Sequence, residues 1–95
     1  MYTITEQQKE MLKSAFNLEV PVSVDIEFMM SILPRTIEYK EETFYFHIFA
    51  TDGQNWTVGY LSGDMNDFPC LPITKPELLQ ALYCYFTWAK TNDVL

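Results

Sequence analysis

His47 is the single histidine of the chain, and Cys70 and Cys84 are its only thiols. An imidazole titrating near neutral pH can serve as a general base or a metal ligand. A thiolate becomes a nucleophile where a neighbouring cation lowers its pKa. Neither residue type finds the company that such chemistry needs. His47 stands between Tyr45-Phe46 and Ile48-Phe49, and its expected cross-strand neighbour is Thr57, a hydroxyl and not a carboxylate. A structural or partly exposed histidine is the reading. Cys84 lies between Tyr83 and Tyr85 with no cation nearby in sequence, which suits a surface or interface thiol. The two cysteines form no C-x-x-C pair, so a zinc knuckle or a thioredoxin-like couple is set aside. No metal and no cofactor is expected.

Two further groups fail on spacing. Asp64, Asn66 and Asp67 offer oxygens suited to a hard cation. A calcium loop, however, needs a third oxygen ligand where Phe68 stands, then a glycine and a distant glutamate. Turn chemistry explains these residues. Gly53, Gly59 and Gly63 lack the spacing and the strand-to-helix setting of a phosphate loop.

With 13 acidic against 6 basic residues, the chain carries a net charge of −7 and a pI near 4.4. That charge opposes a phosphate backbone and an anionic bilayer, so neither nucleic acid nor membrane is an expected partner. The N-terminal stretch Met1-Tyr2-Thr3-Ile4-Thr5-Glu6 has neither the basic region nor the apolar run of a signal peptide, and no apolar stretch is long enough to cross a membrane. Together with cysteines read as reduced thiols, this gives a soluble cytoplasmic protein as the expectation. Ninety-five residues make one domain, 1–95. Hydrophobic residues are 48% of the chain and aromatic ones 16%, an apolar surplus that implies a contact with something else.

The elements follow from periodicity. Thr5 with Gln8, or Thr3 with Glu6, forms a capping box opening a helix to about Asn17, with Met11, Leu12, Ala15 and Phe16 on one stripe. Residues 18–33 carry both a strand-like alternation and a helical signal. The helix from Val24 to Leu33, capped by Ser23 and stopped by Pro34, is preferred. Arg35 to Lys40 reads as a strand, joined by a tight Glu41-Glu42 turn that sets Tyr39 beside Phe44 and Ile37 beside Phe46.

Thr43 to Leu61 reads as a hairpin. A three-residue Thr51-Asp52-Gly53 loop with left-handed Gly53 pairs Ile48 with Trp56, Phe46 with Val58 and Phe44 with Tyr60, which gathers the large apolar groups on one face. Ser62 to Pro72 is a loop, with an extended piece at Cys70 and Leu71. A final helix, capped by Thr74 with Glu77 closing the box and Pro76 in the first turn, lays Leu78, Leu82, Tyr85, Phe86 and Ala89 on the sheet. The predicted class is α+β: N-terminal helices, a three-stranded antiparallel meander, and a C-terminal helix packed on it.

In that meander the first edge is guarded by Glu38, Lys40, Glu41 and Glu42, whereas the third strand carries no charge. The expected contact surface is therefore the third strand, with Trp56 and Tyr60, together with the helix margin formed by Tyr83, Cys84 and Trp88. The leading functional class is a small acidic interaction module, its partner another protein or a second copy in a homodimer. The alternatives are an acidic inhibitor or mimic of the kind a mobile element encodes, and a small enzyme using His47 with a loop carboxylate such as Asp64. The acids are spread along the chain and no set of polar groups converges, so neither alternative is favoured.

Overall fold

The computed structural model describes residues 2–69 and 71–95, and its elements run α1 (Glu6–Ser14), α2 (Ile26–Ile32), β1 (Thr36–Tyr39), β2 (Glu42–Ala50), β3 (Trp56–Leu61), β4 (Ile73–Lys75) and α3 (Leu78–Thr91). The strands form one antiparallel sheet in the order β1-β2-β3-β4. The class is α+β, with four strands where three were expected. Cα extents of 38 × 33 × 18 Å describe a slab, a layer of helices on a sheet.

The N-terminal helix starts where its local chemistry dictates. The Thr5 hydroxyl accepts the Gln8 amide at 3.1 Å while the Gln8 side chain accepts the Thr5 amide at 2.8 Å, a complete capping box. The helix stops at Ser14 rather than Asn17, and of the expected stripe only Leu12 is buried, with Phe16 half-buried and edge-on to Phe86 at 5.6 Å. In the ambiguous segment the helix forms, over Ile26–Ile32. Its cap is Asp25 and not Ser23: the Asp25 carboxylate accepts the Phe28 amide at 2.9 Å. Leu33 leaves the helix in extended backbone, as the residue before Pro34 must.

Both hairpins form in registers shifted from those expected. In the first, Lys40 and Glu41 both take positive φ (50° and 69°), a two-residue turn whose twist suits the flanking strands. It sets Ile37 opposite Phe44 and Tyr39 opposite Glu42. In the second, Ile48 faces Val58, Phe46 faces Tyr60 and Ala50 faces Trp56. Five residues, 51–55, close that loop. The Asp52 carboxylate accepts the amides of Gln54 (2.7 Å) and Asn55 (2.9 Å), and the Thr51 amide donates to the Asn55 carbonyl. An Asx-type closure of this kind needs no left-handed glycine, and Gly53 has no positive φ. Five and three are both odd, so Phe44, Phe46, Ile48, Val58 and Tyr60 still share the face that meets the helices.

The fourth strand overturns the expected start of the last helix. Thr74 does not cap α3. It sits in the middle of β4 opposite Thr57, their hydroxyls 2.8 Å apart, and Glu77 takes the N-cap position in extended backbone. Pro76 holds Lys75 extended, which favours strand over helix at that point. The largest fully buried side chains of the core are Leu12, Met29, Val58 and Tyr60 from the other elements and Leu82, Tyr85 and Phe86 from α3, each at most 1% exposed.

Candidate functional site

The side of β3 away from β2 meets partners within the chain. The Phe46 amide donates to the carbonyl of Arg35, the residue just before β1 on its other side, and the Tyr60 amide, on the residue opposite Phe46, donates to the Tyr85 hydroxyl at 3.3 Å. Tyr60 therefore turns its backbone groups away from β2. By the two-residue period so do Trp56 and Val58, whose partners in β4 are Lys75 and Ile73. Further along, the Ser62 amide donates to the Asp67 carbonyl at 2.8 Å. The expected open third-strand edge is thus covered by β4, and among the described residues the edge strands of the sheet are β1 and β4.

This changes the standing of the expected contact residues. Tyr60 is 0% exposed, its hydroxyl donating to the Pro34 carbonyl at 2.6 Å. Tyr83 is 6% exposed, and its hydroxyl donates to the Gln8 carbonyl. Both belong to the interior and present nothing to a partner: α3 buries Tyr60, and Tyr83 faces α1. Trp56 is 38% exposed but lines a separate cleft with Tyr2, Val24, Ile26 and Leu78. Cys84 and Trp88, four residues apart on one side of α3, come together.

Those two line a groove of about 520 Å³ whose other wall is Leu71, Pro72, Ile73, Thr74 and Lys75. Leu71 is 62% exposed and Trp88 37%, while Cys84 is a half-buried free thiol. Among the described residues that line it, Lys75 alone is charged. β4 itself lay below the reach of pattern reading, being three residues between two prolines. Cys70, expected in an extended piece with Leu71, lies outside the described residues.

The residues with chemical potential do not converge. His47 is half-buried opposite Gly59, not Thr57, and lines a shallow depression with Tyr45, Ser62, Gly63 and Met65. The Asp64 carboxylate is engaged by the Ser62 hydroxyl and the Asn66 amide (3.1 Å), which hold it below the usual carboxylate range, the serine contributing most. Among the described residues, no three His, Cys, Asp or Glu side chains are placed to share a metal ion, and no helix is long and apolar enough to cross a membrane.

No family model matches the chain, and neither the curated proteins nor the solved structures contain a match. The site is accordingly defined by its own geometry: an apolar groove beside an open strand edge.

Proposed function

We propose that this chain is a small acidic protein-interaction module whose working surface is the groove between β4 and α3. The observation that carries the reading is the company of Trp88 and Leu71: two exposed apolar side chains flank an edge strand, with Lys75 the sole charge among the described lining residues of a protein of net charge −7. A large aromatic at the margin of an apolar depression is the kind of anchor in which binding energy concentrates. An open strand edge adds main-chain donors and acceptors. We take the cytoplasm as its compartment, where Cys84 stays reduced.

The test is affinity capture from native cells with three baits, the parent chain, Trp88→Glu and Met11→Glu. Met11 is an exposed apolar residue on α1, away from the groove. The expected result is a bound protein retained by the parent and by Met11→Glu and lost by Trp88→Glu. Equal recovery by all three baits overturns the groove as the working surface.

A further inference from the structure

β4 exposes a short and self-complementary stretch of backbone. Because Trp56 and Val58 direct their backbone groups toward Lys75 and Ile73, alternation turns the amide and carbonyl of Thr74 to the open side. The next outward positions are two residues away on either side, and both are proline, Pro72 and Pro76. Neither has an amide to donate. An added peptide strand would therefore find one donor where a longer edge would supply several. A two-fold axis through Thr74 needs no more than that: its amide meets the carbonyl of the same residue in the other copy, and the bond is returned.

Charge selects the same edge for self-pairing. The other open strand, β1, carries Glu38 and runs into Glu41 and Glu42, so two copies meeting there would oppose carboxylates. Residues 71–91 hold Lys75, Glu77 and Lys90 as their only charges, and the acidic excess lies elsewhere in the chain. A copy approaching β4 meets the least repulsion.

We propose that a second copy of this chain occupies the groove, joining β4 to β4 antiparallel about Thr74 so that two four-stranded sheets become one of eight. The proposal rests on the reading of the groove as the working surface. Ile73 then stands opposite Lys75 of the second copy. The α3 helices lie on the same side of the joined sheet and face each other through Cys84 and Trp88, which already point toward the β4 edge.

Light scattering coupled to size exclusion, from low micromolar to millimolar protein, tests the proposal. The expected mass is twice 11.2 kDa for the parent chain. Two variants locate the seam. Thr74→Val removes only the hydroxyl and stays dimeric. Thr74→Pro also removes the outward amide, a substitution that an edge strand tolerates when that amide faces away from its neighbour. It weakens the dimer by on the order of tenfold or more, since each copy loses a hydrogen bond. Trp88→Glu is monomeric. A parent chain that is monomeric throughout, or a Thr74→Pro variant that associates as tightly as Thr74→Val, overturns the proposal. A monomeric parent whose captured partner is lost with Trp88→Glu leaves the groove as a docking surface for a different protein. A monomeric parent with no capture dependent on Trp88 removes both.

Discussion

The backbone amide of Tyr60, in the middle of β3, donates to the hydroxyl oxygen of Tyr85 on α3 at 3.3 Å. The two rings sit 5.8 Å apart, and both residues are fully buried. A helix side chain thus completes the strand edge just beyond the point where β4 ends. Tyr85→Phe keeps the ring and removes the acceptor, leaving a buried amide without this partner. The expected loss is about 1–3 kcal/mol in chemical denaturation, with an unchanged slope against denaturant. Parent-like stability would show that the Tyr60 amide finds another acceptor at little cost.

Burial pushes the Tyr60 phenol well above its ordinary value. Its folded pKa is raised, so the unfolded chain releases this proton first. Stability from the neutral phenol is therefore fully present below about pH 10 and is lost as pH rises beyond it. Tyr83, raised chiefly by burial and next by the neighbouring Tyr2 and Cys84, acts in the same direction. Tyr60→Phe costs about 1 kcal/mol at neutral pH through its lost bond to the Pro34 carbonyl. It also flattens the alkaline limb of a denaturation series. An alkaline limb identical to the parent's would contradict the assignment.

A Cβ at Gly59 would stand 3.1 Å from the Cα and Cβ of Pro72, at the entrance to β4. One of these atoms is backbone and the other belongs to a closed ring, so neither can rotate aside. Gly59→Ala is expected to displace β4 and destabilise the fold by about 1–3 kcal/mol. Amide exchange should accelerate at Ile73 and Lys75 while the pairing of β2 with β3 stays protected. Unchanged exchange in β4 would mean that the strand absorbs the methyl group.

Much of the fold was legible because its determinants are local or depend only on parity. The capping box of Thr5 and Gln8 acts within one turn. The core face of the hairpin survives a wrong loop length, since changing three residues to five moves each pairing without exchanging faces. The register was not legible, because it turned on Asp52 accepting two amides, a bond pattern that competes with the Asp-Gly turn in the same residues. β4 was hidden for a related reason: Thr74 and Glu77 spell a capping box, and only the unmet backbone of β3 draws Ile73–Lys75 into the sheet. Of the expected contact residues, Cys84 and Trp88 share a groove because helical periodicity put them on one margin. Tyr60 is interior because β4 and Tyr85 cover the strand edge that the sequence pattern leaves open.

The Asp52 carboxylate is held below its ordinary range by the Gln54 amide first and then by the Asn55 side chain. With a depressed folded pKa, its contribution is present above the ordinary carboxylate range and is lost as pH falls through the folded value. Asp52→Ala should remove that part of the acid limb and loosen residues 51–55 in amide exchange, leaving the pairing of Phe46 with Tyr60 intact. Full protection of the Gln54 and Asn55 amides in the variant would show that the loop closes without the carboxylate.

Amide exchange followed residue by residue, at protein concentrations from low micromolar to millimolar, reads the working surface most directly. Docking of a second copy at β4 predicts that the Thr74 amide, directed outward in the single chain, gains protection as concentration rises, and that Trp88→Glu abolishes the gain. Protection that rises instead along Thr36–Tyr39, or a Thr74 amide that exchanges equally fast at every concentration, would contradict a second copy in the groove between β4 and α3.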